Sequence, residues 1–144
     1  MESNNQQLKD LVIVGGGPAG LTASIYAQRS LLDAVTLEQE AFGGQTILTS
    51  EIDNYPGLPH TDGYTLSEAM RSQATDLGAE VRMEQVTGIS RDDKSGLFTL
   101  VTPDGDLVAK SVILAGGATP RHAGFQGEEK FASRIARAIC TARA

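Results

Sequence analysis

Apolar residues along this chain fall into three patterns. The first is an unbroken run, Leu11-Val12-Ile13-Val14, rich in β-branched residues and closed by glycine. A run that is apolar on both faces is the signature of a strand buried in a parallel sheet. It predicts a strand over about Leu8–Val14, after a polar lead-in at residues 1–7. The second pattern has helical spacing. Leu21, Ile25 and Gln28 or Arg29 mark successive turns of Ala19–Leu31. Leu66, Ala69, Met70, Gln73 and Leu77 line one face of Tyr64–Leu77. Thr65 or Ser67 can cap that second helix, and Gly78 can end it. The third pattern is a series of short strand-like segments: Ala34–Glu38, Ala79–Met83, Val86–Ser90, Leu97–Thr102 and Asp106–Lys110. Turn sequences Asp92–Gly96 and Pro103-Asp104-Gly105 separate the last three. A second buried run, Val112-Ile113-Leu114-Ala115, closes the series and leads into Gly116-Gly117-Ala118.

In chain order these elements predict an α/β fold. Strands alternating with helices, joined by right-handed crossovers, give one parallel sheet. A three-stranded antiparallel meander is inserted before its last strand. Between the second strand and second helix, Gln39–Gly63 reads as a long irregular stretch, with turns fixed at Pro56-Gly57 and Pro59. Loops of that length inside small domains tend to be functional, although a surface loop with turn chemistry reads the same way. The tail Phe131–Ala144 is either a helix by propensity or a ragged end.

Candidate chemistry starts where the first strand meets glycine. Gly15-x-Gly17-x-x-Gly20 follows the apolar run directly and opens a helix, with Pro18 and Ala19 in its first turn. In a dinucleotide-binding turn the first glycine allows the sharp bend. The second lets backbone approach a pyrophosphate, and the third lets helix pack on strand. The helix N-terminus then offers free N–H groups and a positive dipole end to phosphate. Glu38 ends the second strand 18 residues after Gly20, the usual distance for a carboxylate that accepts from ribose hydroxyls. The bland alternative is a structural strand-turn-helix with a surface glutamate. On its own the motif admits FAD or NAD(P).

Composition narrows the picture. The chain has 144 residues and a net charge of −6, enough for one domain and unsuited to nucleic acid as a general partner. No run approaches a membrane span and no signal-peptide core precedes the first strand, so a cytoplasmic protein is expected. His60 and His122 belong to no ligand-spaced cluster, so no metal site is expected. Cys140 is the only cysteine. Neighbouring arginines could favour its thiolate, but a small incidental hydrophobe is the simpler reading, and no catalytic residue is assigned.

The ordered set Gly15–Gly20, Glu38, Gly43-Gly44-Gln45, Asn54-Tyr55-Pro56-Gly57, Val112–Arg121 and Gly127-Glu128-Glu129 resembles the N-terminal part of thioredoxin reductase and its pyridine nucleotide-disulfide oxidoreductase relatives. The resemblance covers about residues 8–133 and implies a Rossmann-like FAD-binding domain, N-terminal portion only, with residues 134–144 unlike the family. It implies FAD at the first glycine turn. Gly15, Gly17, Pro18, Ala19 and Gly20 would hold the pyrophosphate region, and Glu38 the adenosine ribose. Gly43, Gly44, Gln45 and Asn54 would lie along the ribityl chain and flavin. Val86 would contact adenine through its backbone, and Ala115 and Gly117 would line the cofactor near the last parallel strand.

Three departures from that pattern shape the functional expectation. The family's Cys-x-x-Cys is absent: its region reads Ile139-Cys140-Thr141-Ala142-Arg143, and dithiol exchange needs a second thiol. There is no second GxGxxG, hence no nicotinamide domain to deliver hydride from NADPH to flavin. The C-terminal portion that completes the family's FAD domain is missing as well, and Gly116 stands where threonine is usual. The expectation is therefore a truncated oxidoreductase of thioredoxin-reductase type. Its alternatives are a non-catalytic flavin- or nucleotide-binding module, completed by a second copy or another chain, and an inactive remnant. A thioredoxin-like acceptor follows from the resemblance alone.

Overall fold

A computed structural model describes residues 8–118 together with Gly124 and Gln126. The lead-in at residues 1–7, Cys140 and the tail lie outside the described residues. Six strands form one sheet in the order β3-β2-β1-β6-β5-β4. They are β1 (Leu8–Val14), β2 (Ala34–Glu38), β3 (Glu80–Met83), β4 (Gly88–Arg91), β5 (Phe98–Val101) and β6 (Leu107–Leu114). Strands β3, β2, β1 and β6 run parallel, while β4–β5 and β5–β6 pair antiparallel. The expected α/β architecture, a parallel sheet carrying a three-stranded antiparallel arm, is what the chain adopts.

Strand β1 is central, and its two faces build two cores. Leu11 and Ile13 pack with Ala34 of β2 and with Ala23 and Ala27 of helix α1 (Pro18–Arg29). Val12 on the opposite face clusters with Val35, Leu37, Leu100 and Ala109. Helix α2 (Gly63–Asp76) joins α1 through a third cluster, Ile25, Ala74 and Ala79. Helix α1 ends two residues earlier than predicted: the chain turns away at Leu31, whose left-handed backbone (φ 56°) cannot continue a helix.

Four expectations are corrected. The segments Asp106–Lys110 and Ser111–Ala115 are one strand, β6, which pairs with β5 over Leu107–Ala109 and with β1 as far as Leu114. The polar pair Lys110-Ser111 looked like a break because both residues serve a neighbour instead. Lys110 Nζ is 2.7 Å from the Asp10 carboxylate, and the Ser111 hydroxyl donates to the Asp10 carbonyl. The run Val112–Ala115 is also not buried: Leu114 is 72% exposed, because β5 pairs β6 only to Ala109 and leaves the edge beyond it open among the described residues.

Third, Gln39–Gly63 is not structureless. A short 3-10 helix spans Gly44–Leu48, and an antiparallel bridge joins Ile52 to Thr61. Fourth, helix α2 is capped by Asp62, not by Thr65 or Ser67. The Asp62 carboxylate accepts from the Thr65 backbone N–H and from the Thr65 hydroxyl. Its buried face carries Leu66, Ser67 and Ala74, whereas Ala69, Gln73 and Leu77 are exposed. The face turned because α2 packs against the 3-10 segment as well as against α1. Gly63 N–H donates to the Thr49 carbonyl, and a Cβ at Gly63 would overlap the Thr46 carbonyl oxygen.

Candidate functional site

A cavity of about 750 Å³ opens at the carboxyl ends of the parallel strands. Ligands bind there in open α/β sheets, and the volume lies within the range of small-molecule and cofactor sites. It runs from Ala115–Ala118 after β6, past the glycine turn after β1, to Glu38 after β2 and on to Glu84 and Val86 after β3. The 3-10 helix supplies the facing wall with Gly44, Gln45, Thr46 and Ile47.

The glycine turn shows which of its glycines shape the fold and which face the cavity. Gly15 has φ 107°, a conformation that L side chains rarely adopt, and a Cβ there would overlap the Ala115 carbonyl oxygen. A Cβ on Gly20 would overlap the Gly15 carbonyl, so Gly20 sets the closeness of helix to strand. Gly17 is different. Nothing lies within 4 Å of the position its Cβ would take, and it lines the cavity. Gly17 is also the N-cap of α1, and no side chain caps that helix. The first-turn N–H groups are thus left for an anion, where the helix dipole favours one.

Glu38 braces the turn. One carboxylate oxygen accepts from Gly16 N–H at 2.7 Å, and the other accepts from Glu40 N–H at 2.9 Å. The Phe42 ring packs over Gly16, and Gly43 N–H donates to the Gly16 carbonyl at 2.8 Å, tying the loop to the turn. Across the cavity the Gln45 carboxamide donates to the Ala118 carbonyl, linking the 3-10 helix to the segment after β6. Among the described residues the lining carries three acids, Glu38, Glu40 and Glu84, and no lysine or arginine. Among the described residues, the groups at this cavity suited to an anion are backbone N–H groups and the N-terminus of α1.

Of the residues singled out in the sequence, Gly15, Gly17, Pro18, Ala19, Glu38, Gly44, Gln45, Val86, Ala115 and Gly117 line this one cavity. Gly20 and Gly43 stand behind its wall: Gly43 (φ 103°) abuts Ile47 and the Ser67 side chain. Asn54 is exposed in the bridged loop and does not line the cavity. Sequence reasoning missed Glu84 and the Thr46–Leu48 wall. Glu84 has a signal that could have found it, since an acid follows β3 much as Glu38 ends β2.

Comparison with known proteins agrees with this geometry. The family model for pyridine nucleotide-disulphide oxidoreductases matches residues 9–144. Thioredoxin reductase from Mycolicibacterium smegmatis is 41% identical over 128 residues, 88% of this chain and 40% of that protein. Thioredoxin reductase from Treponema pallidum is 41% identical over 126 residues, again 40% of its length. The crystal structure of Lactococcus lactis thioredoxin reductase superposes with a TM-score of 0.77 at 39% identity, covering 87% of this chain and 41% of that one. The chain thus spans about two fifths of these relatives. Sequence, fold and cavity together place it in the pyridine nucleotide-disulphide oxidoreductase family, among the thioredoxin-reductase-like proteins.

Proposed function

We propose that this cleft binds FAD and that the chain forms the N-terminal FAD-binding part of a thioredoxin-reductase-type flavoprotein. The uncapped N-terminus of α1 carries the reading: it faces a cavity whose adjacent wall is open at Gly17 and braced by Glu38. Gly15, Gly17, Pro18 and Ala19 would hold the pyrophosphate through backbone groups. Glu38, whose oxygens already fix Gly16 and Glu40, has lone pairs left for ribose hydroxyls. Gly44 and Gln45 would lie toward the flavin end, with Ala115 and Gly117 opposite. A bound FAD supplies hydride and electron transfer, and the protein supplies alignment.

The single cysteine, Cys140, offers no dithiol pair for disulfide exchange, so the role proposed for this chain is cofactor binding rather than thiol chemistry. Reduction by NADPH, a thioredoxin-like acceptor and pairing with a second or completing chain belong to the same proposal, at the level of the whole flavoprotein.

Gly17→Val tests the binding mode. Open space surrounds that position, so the variant should melt like wild type without ligand. FAD at about 100 times its dissociation constant should stabilise wild type by roughly 2.7 kcal/mol and leave the variant unmoved. An equal shift in both would place the pyrophosphate elsewhere.

A further inference from the structure

We infer that Phe42 is a positioning residue for the cleft: its ring, braced by Arg71 of helix α2, holds the glycine turn in the shape that presents the α1 N-terminus to phosphate. The inference rests on the proposal that a pyrophosphate lies at that turn. Gly15, Gly16 and Gly17 stand in succession, and glycine has more backbone freedom than any other residue. N–H groups on a loose turn hold an anion weakly, because binding must then order them. Gly15 is fixed at one end, its N–H donating to the Leu37 carbonyl at 2.8 Å. Gly17 borders the cavity with nothing against it. Gly16 lies between them and is the point at which the rest of the fold grips the turn.

Gly16 is buried, and three groups hold it. Its N–H donates to Glu38 at 2.7 Å, and its carbonyl accepts from Gly43 N–H at 2.8 Å. The third is the Phe42 ring, whose Cδ1 and Cε1 a Cβ on Gly16 would overlap. Phe42 does not line the cavity, so it reaches a ligand only through the turn. The ring is itself held from α2. The Arg71 guanidinium carbon lies 5.8 Å from the ring centroid, within cation–π reach. Arg71 in turn is fixed by a two-pronged pairing with Glu68, Nε to Oε1 at 3.0 Å and Nη2 to Oε2 at 2.9 Å. The residue after Phe42 is wedged against the same helix, since a Cβ on Gly43 would overlap the Ser67 side chain. Phe42 thus links α2 to the glycine turn, and the missing side chain of Gly16 makes room for its ring.

Calorimetric titration of the full chain with ADP and with adenosine tests this, because the two share base and ribose and differ in the diphosphate. Phe42→Leu should weaken ADP about tenfold, the worth of one charge-assisted hydrogen bond, and leave adenosine within about twofold. Phe42→Tyr keeps the ring and should retain wild-type affinity for both. Arg71→Met keeps the stem, drops the cation and leaves Phe42 in place; ADP should weaken about two- to fivefold. That further loss should vanish when Phe42→Leu is already present, since no ring remains to brace. Equal loss of both ligands in Phe42→Leu would show that the ring only packs the loop, and would overturn the inference. Unchanged ADP affinity in either Phe42→Leu or Arg71→Met would overturn it too, while leaving dinucleotide binding intact. A wild type that binds ADP no tighter than adenosine would place no phosphate at the turn, and would overturn the FAD reading together with the inference.

Discussion

Gly17 and Gly20 belong to one motif and yet do different work. Gly20 is required by the fold, because a Cβ there would strike the Gly15 carbonyl; Gly17 borders only open cavity. Gly20→Ala should therefore cost about 3 kcal/mol or more in urea denaturation, a magnitude reserved for backbone clashes in packed sites. Glu38 has a mixed role. Glu38→Ala removes the acceptor for Gly16 N–H and for Glu40 N–H, and should destabilise the ligand-free chain by about 1–2 kcal/mol while also weakening FAD. Unchanged stability in that variant would mean the brace is incidental. These residues were legible in the sequence because spacing alone, glycines after a strand and an acid after the next, reports their chemistry. Asn54 was read from resemblance, and no spacing rule located it; it lies exposed and off the cavity wall.

At the scale of elements, the parallel strands and both helices were legible as elements, but the face predicted for α2 holds only at Leu66 and, half-buried, at Met70. The errors came where long-range partners outweigh local pattern. Strand β6 runs through Lys110 and Ser111 because Asp10 of β1 engages both. The segment 44–48 coils because Gly43 and Gly44 take left-handed backbone (φ 103° and 53°), which hydrophobic pattern does not encode. Helix α2 starts at Gly63 behind its cap Asp62, whose carboxylate reaches the Thr65 N–H from two residues outside the predicted span. That cap holds the Asp62 carboxyl below its ordinary range, through the Thr65 hydroxyl first and the Thr65 backbone next. Gly63→Ala should separate α2 from the cavity wall, since the added methyl meets the Thr46 carbonyl. Lower thermal stability together with weaker FAD binding is expected; a variant with wild-type values for both would show that the two segments are not coupled.

Across the whole molecule, charge is divided between the two ends of the sheet. Opposite the cleft, buried Lys9 pairs with Asp33 at 2.7 Å and Glu80 at 3.0 Å, and Arg82 pairs with Glu80. Burial pulls the Lys9 pKa down, but hydrogen bonds from its amine to Asp33 and Glu80 outweigh it, and the net direction is upward. For Glu80, burial pushes up, yet hydrogen bonds from Arg82 and Lys9 bring the carboxyl below its ordinary value. The sign follows by linkage. The Glu80 contribution is complete above its ordinary 4.5 and is lost as pH falls through the lower folded value. The Lys9 contribution is complete below its ordinary 10.5 and is lost as pH rises through the higher folded value. Urea midpoints should hold a plateau between these limits, and Lys9→Met should flatten the alkaline fall. An alkaline limb identical to wild type would show that the network is silent.

The cleft end holds acids and an uncapped helix instead, and it is there that the chain meets the family to which it belongs. The most direct test of its proposed role is an absorbance titration of the purified chain with FAD, followed by gel filtration to remove free ligand. Flavin bands retained near one per chain are expected, and should disappear with Gly17→Val. A wild-type chain that emerges colourless after saturation with FAD would contradict cofactor binding by this cleft.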